Sequence, residues 1–553
     1  MRLAIWPLFL TLLAAGIPGT KASTPKLVVL IVLDQFRAEY LTRNDRHFGK
    51  GGFRWLKEHG VTYEQAHYGH AATYTSPGHA CLISGSYGHV NGIVANRWFN
   101  RQRKRTETIF FDPEAKPFGY DAVPLDDYTS PHNFIGSNLA DQLLLSNQRR
   151  SKFIGVSNKD AASVAVSGKL GKAYWYHEAV GGMTTSSYYH SDIPKWIHDF
   201  NSRMIPDSFF NKTWTKLLPE REYEECWPDD MQYETDFKKM GKTFPHVLTD
   251  PSGKPGATFY EAFTATPWAN SYQFEFARRA LQAEQLGKDE YPDILAISLR
   301  ATDIVGHQFG SESHELKDLI VRLDAQLAEF IAYLNNIYAR DDWVIVLTAD
   351  HGASPLPEFM ASQGMHARRI KKKELKEGIS KSLEERYGKA TTEDPWVIEL
   401  EEPSIFLNRE KIHRMRLDIE EVENIAAEAA LGVRGVGAAF TRHSLLRANG
   451  SEHFLVSRAM KSFHAARSGD LMVIPEPLSF WGKYGERETG TTHGSPYEYD
   501  THVPLIFARS RFQQVKVIRK VDIADLAPTL AYLLKISASA ASEGQILEEV
   551  VRP

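Results

Sequence analysis

Apolar residues along this chain fall into two patterns. Residues 27–33, 153–156, 294–299, 344–347 and 503–508 are nearly unbroken runs of Val, Ile and Leu, as strands buried on both faces of a parallel sheet should be. Leu316, Leu319, Ile320, Leu323, Leu327, Phe330, Ile331 and Leu334 instead recur at three- and four-residue steps among acids and bases. That spacing predicts a crossover helix with one buried face between the third and fourth runs. The alternation predicts an α/β fold, a mostly parallel central sheet flanked by helices, and residues 521–530 lead into a last apolar helical segment expected to pack on it. Two intervals, about 175–270 and 360–490, break the rhythm and are rich in aromatic and charged residues. Neither is Ser/Gly-rich or of low complexity, so they read as insertions forming a cap rather than as linkers. At 553 residues the chain calls for two domains or one large core with insertions, and the order of its motifs favours the second.

The first residues, Met1 and Arg2, precede an apolar run over 3–17 and then Thr20-Lys21-Ala22-Ser23. This predicts a signal peptide over 1–22, cleaved after Ala22, with the mature chain at 23–553. The run is shorter than the roughly 20 apolar residues of a membrane span, and no cysteine follows it to carry a lipid. The expectation is a periplasmic or secreted protein with no membrane anchor after cleavage. With 65 basic and 69 acidic side chains, the formal charge of −4 argues against a nucleic-acid partner held by bulk electrostatics. Cys81 and Cys226 are the only cysteines, which excludes a disulfide framework and a thiolate-rich metal site. One bridge between them and two free thiols both stay open.

Six residues of metal-ligand type lie in four stretches: Asp34, Asp303 with His307, Asp350 with His351, and His493 between Thr492 and Gly494. Asp34 and Asp350 directly follow apolar runs and are delivered to one sheet edge, where ligands bind in such folds. Asp303 and His307 stand four apart, on one face of a helical turn. A single aspartate after a strand is more often a helix cap, and an isolated histidine more often serves a core or a surface. Their joint occurrence at strand ends points to a metal site, and carboxylate with imidazole suits zinc. A fifth stretch, residues 73–79, reads Thr-Tyr-Thr-Ser-Pro-Gly-His. Pro77 and Gly78 predict a turn before a helix beginning near His79, which places an upstream hydroxyl at a helix N-terminus, where anions are favoured. Thr73 and Ser76 read as capping hydroxyls; Thr75 is the seventh candidate metal ligand and, its hydroxyl acidified by coordination, the candidate nucleophile. The set suggests a two-metal hydrolase of phosphate esters.

Asp34, Thr75-x-Pro77-Gly78-His79, Asp303-x-x-Gly306-His307, Asp350-His351-Gly352 and Thr492-His493-Gly494 resemble the alkaline phosphatase superfamily. Within it the chain is most similar to the bacterial phosphate-irrepressible alkaline phosphatases, monomeric periplasmic enzymes with a threonine nucleophile, related to the nucleotide pyrophosphatase/phosphodiesterases. The resemblance implies two Zn2+ ions, one held by Asp303, His307 and His493 and the other by Asp34, Asp350 and His351, with Thr75 attacking phosphorus from the second. It also implies that Asn96 and Lys159 contact the transferred phosphoryl group of a small-molecule phosphate ester. One position departs from the pattern: Ala161 stands where a Lys-x-Arg pair would have its arginine. A guanidinium binds two oxygens of a monoester dianion at once, so its loss weakens monoester recognition unless Arg97, Lys169 or an insertion supplies a cation.

The implied reaction is hydrolysis of phosphate monoesters through a phosphothreonine. A phosphodiesterase of the nucleotide pyrophosphatase type shares the metals and the threonine, and Ala161 with an aromatic cap of Tyr74 and Trp98 leaves it open. A sulfatase is disfavoured because the Cys/Ser-x-Pro-x-Arg signature is missing at this turn, and the export signal disfavours a cofactor-independent phosphoglycerate mutase. A metal- or phosphate-binding protein on a degenerate scaffold is the non-enzymatic alternative, set against a complete set of ligands and nucleophile.

Overall fold

The computed structural model describes residues 24–119, 123–449 and 453–551; the signal peptide expected over 1–22 lies outside them. Its main sheet has nine strands: β1 (Leu27–Leu33), β2 (Gly60–His67), β3 (Phe153–Ser157), β4 (Lys172–His177), β5 (Gly182–Thr184), β6 (Asp293–Leu299), β7 (Trp343–Ala349), β8 (His502–Ala508) and β9 (Val515–Asp522). The spatial order is β9-β2-β8-β7-β1-β6-β3-β4-β5. The central strands β7, β1, β6, β3 and β4 are parallel. β1, β6 and β7 are buried along their whole length, which is why their sequences are apolar without alternation.

Four of the five apolar runs thus lie parallel, and the fifth does not. β8 pairs antiparallel with both β7 and β2. A strand covered on both faces is an apolar run in either direction, so its orientation is set by the connection and not by its residues. The outer strand β9 buries few of its eight residues, and such a segment carries little apolar signal.

Helices cover the sheet. Those that matter for the site are α1 (Thr75–Ser84), α2 (Asp160–Ser167), α3 (Ala301–Phe309), α4 (His314–Ile337) and α5 (Leu526–Leu533). α4 is the predicted crossover helix; its leucine stripe is buried, and the Ser313 hydroxyl caps it by accepting the Leu316 N–H at 3.1 Å. α5 joins the main core beside α1. Within 360–490 lies a second, antiparallel sheet of four strands, ordered Val397–Glu401, Ser404–Leu407, Leu471–Pro475 and Val436–Thr441. It has its own core around Leu375, Trp396, Ile405, Val422 and Trp481. The interval 175–270 instead sends Trp214, Phe259 and Phe263 into the main core. Cys81 and Cys226 are free thiols, which closes the open question of a bridge.

Candidate metal and nucleophile site

In-register pairing brings three strand ends level. Leu33 sits opposite Leu299 on β6 and opposite Ala349 on β7, so Asp34 and Asp350, the next residues, emerge side by side at one sheet edge. Gln35 and His351 donate backbone N–H groups to Asp350 Oδ1 at 3.2 and 3.0 Å. His351 Nε2 lies 3.4 Å from both Asp34 Oδ1 and Asp350 Oδ2, and this first triad is wholly buried. On α3, Asp303 and His307 are one turn apart, with His307 Nε2 3.2 Å from Asp303 Oδ1. The loop carrying His493 brings its Nε2 to 3.8 Å from the same oxygen.

The three imidazoles are oriented alike. His307, His351 and His493 donate Nδ1–H to the backbone carbonyls of Thr491, Gly352 and Thr73 at 2.7, 2.9 and 2.7 Å. Each Nε2 lone pair is therefore left for the carboxylate side, as in a ligating histidine. Both oxygens of Asp34, Oδ1 of Asp303 and Oδ2 of Asp350 are buried without a hydrogen-bond partner, a costly state that a divalent cation relieves. Each triad offers one atom per residue within 4.8 Å of the others. The donor set fits two cations.

The charges are mutually dependent. Burial, followed by the neighbouring Asp303 and Asp350 carboxylates, raises Asp34 well above the usual carboxylate range. Burial, with Asp303 adding to it, pushes Asp350 up to about 7. Burial acts on Asp303 in the same sense, but His307, Lys159 and His493 together hold it well below the ordinary value. Burial and then His307 push His493 down to about 3, so its imidazole is neutral at any working pH.

Thr75 is the first residue of α1. The helix thus starts ahead of the predicted position near His79, because Pro77 fits its first turn, where a missing N–H costs nothing. Thr75 Oγ1 accepts a hydrogen bond from Lys159 Nζ at 2.9 Å and lies 3.4 Å from His351 Nε2. Asn96 Oδ1 accepts the Ser76 N–H at 2.8 Å, which fixes the asparagine beside Thr75. His79 donates Nδ1–H to Thr75 O at 2.8 Å and pairs through Nε2 with Ser298 Oγ at 2.9 Å, tying α1 to β6. All nine residues singled out in the sequence converge on this one region. Above them opens a cavity of about 920 Å3, lined among others by Asn96, Lys159, Asp303, His307 and His493.

Some expectations need correction. Lys169 gives its ammonium to Gly136 O at 2.9 Å and does not line the cavity, and Trp98 packs against an apolar cluster elsewhere. Tyr74 does line it, edge-on to His493 at 5.8 Å. Arg300, and Tyr484 stacked on His307 at 4.5 Å, also line the cavity and were not singled out, since neither belongs to a spaced motif. A third cluster, His67, Glu498 and His502, is equally close. Its imidazoles stack with planes 15° apart, so their lone pairs run in near-parallel planes and do not converge on one ion.

Comparison with solved structures gives the class. The crystal structure of wild-type alkaline phosphatase PafA superposes with a TM-score of 0.87 at 28% identity, covering 96% of this chain and 99% of that one. The fold is that of the alkaline phosphatases, and the site is that of a phosphoester hydrolase. The chain belongs to the type I phosphodiesterase / nucleotide pyrophosphatase family, whose profile matches residues 28–496. Alkaline phosphatase PhoV of Synechococcus elongatus is 30% identical over 96% of this chain and 93% of its own. A protein named calcium-transporting ATPase from Myroides odoratus is 33% identical over 97% and 96%. Among the described residues no helix of this chain is long and apolar enough to cross a membrane.

Proposed function

We propose that this chain hydrolyses phosphate monoesters to an alcohol and inorganic phosphate through a phosphothreonine at Thr75, as an exported monomer acting on small-molecule esters. The observation that carries the reading is the 2.9 Å contact between Lys159 Nζ and Thr75 Oγ1. A cation held against a hydroxyl at a helix N-terminus favours the alkoxide. A second solved PafA structure is substituted at a threonine, an asparagine, a lysine and an arginine; the first three match Thr75, Asn96 and Lys159 here in kind and order. Residues 23–553 act as one catalytic domain, with Lys483, Tyr484 and Arg487 of the 360–490 insertion reaching the cavity as a cap.

Asp303, His307 and His493 would hold one Zn2+ and Asp34, Asp350 and His351 the other; bound there, the ions stabilise charge on the attacking and leaving oxygens. Thr75 gives its hydroxyl proton to water, its Oγ attacks phosphorus in line while the bond to the ester oxygen breaks, and the alkoxide leaves to take a proton from water. Lys159 and Asn96 hold the phosphoryl oxygens, preorganised by their bonds to α1. Hydroxide then attacks the phosphothreonine, the P–Oγ bond breaks, Thr75 Oγ regains a proton from water and phosphate departs. This second step needs hydroxide, so turnover rises into the alkaline range. The ATPase name of one relative fits the same transfer, since the end of ATP is also a terminal phosphoryl group.

A second reading, a phosphodiesterase or nucleotide pyrophosphatase on the same two metals, is favoured by Ala161 in place of a guanidinium and by the family profile. The deciding experiment compares kcat/KM of the zinc-loaded mature protein for an aryl phosphate and for its methyl diester at alkaline pH. A strong preference for the monoester is expected. A preference for the diester would transfer the protein to the second reading.

A further inference from the structure

A terminal phosphoryl group carries one more negative charge than a diester, and it calls for a second cation beside Lys159. We propose that Arg300 is that cation: its guanidinium binds the terminal phosphoryl oxygens and sets the preference for monoesters over diesters. The proposal rests on the monoesterase reading above.

The placement follows from register. Leu299 is level with Leu33, and Ser298 is paired with Ser157 on β3, so Arg300 leaves the sheet at the same edge as Asp34 and beside the segment that carries Lys159. It lines the cavity together with Lys159, Asn96 and Asp303. Its Nη1 donates to Asn158 O at 3.4 Å and to Glu178 Oε1 at 3.3 Å. Both contacts are long; Asn158 lies between β3 and Lys159, and Glu178 directly follows β4. Nε is buried without a hydrogen-bond partner, 4.0 Å from Asp303 Oδ2. A guanidinium held by long contacts and with a buried, unpartnered Nε is incompletely balanced, and an anion in the cavity completes the balance.

Four other cations line the cavity and fit the role less well: Lys238 is paired with Glu261, and Arg487 lies over the Tyr484 ring. Arg97 and Lys483 are exposed, so each must lose side-chain freedom to hold a phosphate, whereas the Arg300 side chain is only 23% exposed. A planar fork also meets two phosphoryl oxygens at once. The competing explanation is that Arg300 only balances Asp303 and Glu178, and the two make different predictions.

The test uses the zinc-loaded full chain and the variants Arg300→Ala and Arg300→Lys. It measures kcat/KM for an aryl phosphate and its methyl diester, inhibition by inorganic phosphate, and zinc content by mass spectrometry. Arg300→Ala should lower monoester kcat/KM by about 30-fold and diester kcat/KM by less than about 3-fold. Phosphate inhibition should weaken by about 10-fold with zinc content unchanged. Arg300→Lys should recover part of the loss, and adding Ala161→Arg to Arg300→Ala should restore a guanidinium and with it the monoester preference. Equal loss on both esters, loss of zinc, or unchanged phosphate inhibition would each overturn the proposal. If Arg300→Ala does not fold, the monoester-to-diester ratio of Arg300→Lys decides in the same way. A wild-type preference for diesters would sink the monoesterase reading alone, because phosphate inhibition still reports on Arg300 directly.

Discussion

Thr75, the nucleophile proposed above, is fully buried, with Lys159 on one side of its hydroxyl and His351 on the other. Removing that hydroxyl leaves both ligand triads intact. Thr75→Ala should therefore keep its metal content while kcat falls by about 10^4-fold; a rate near wild type would rule out the covalent route. Ala161→Arg on the wild-type background should change the monoester-to-diester ratio by about 3-fold or less if Arg300 already supplies the guanidinium, since two residues serving one phosphoryl group are not additive. A different residue contributes to acid stability. Burial, then Lys461 and Arg458, push the pKa of His70 down to about 3, below the unfolded value of about 6.5. Between those limits the unfolded chain binds the extra proton, so stability is full above about 6.5 and is lost as pH falls, at about 1.4 kcal/mol per pH unit. His70→Gln should flatten the slope of unfolding free energy against pH by about that amount; parallel slopes would show that His70 is not the group. Asp34 and His493 were legible as ligand types, but Arg300 was not, because nothing in its sequence neighbourhood sets it apart from any arginine after a strand.

Helix α1 and strand β7 meet almost without side chains between them. A Cβ on Gly78 would lie 2.2 Å from the Asp350 carbonyl oxygen, so only glycine lets α1 approach closely enough to set Thr75 beside His351. Gly78→Ala should push the helix back, cost about 1–3 kcal/mol of stability, and lower both metal content and turnover. Retained zinc with normal turnover would show that the contact is not needed. At this scale the period-2 and period-3.6 signals worked where burial was uniform, as in β1, β6, β7 and α4. They did not reveal β8's direction, and they missed outer β9, where few residues face the core. The start of α1 was misjudged because Pro77 reads as a breaker until it is known to lie in a first turn.

Over the whole molecule the triads join residues as distant in sequence as Asp34 and His351, and metal binding should therefore report on the global fold. If the two ions are bound a thousandfold above their Kd, chelation should reduce unfolding free energy by about 4 kcal/mol per site, with Tm restored on adding Zn2+. An unchanged Tm after complete metal removal would mean the triads are preformed without any contribution from the ions. The sequence by itself determined the α/β class, the strands of the sheet centre, the amphipathic helix and the chemical types of the site, because each follows from burial periodicity or donor chemistry over a few residues. Only the tertiary structure decided β8's orientation, the common turn of three imidazoles towards the carboxylates, and the arrival of Arg300, Tyr484 and Lys483 at one cavity. Those depend on strand register, on backbone carbonyls far away in sequence and on how an insertion folds back, and no local pattern of residues encodes a distance between segments that meet only in the folded chain.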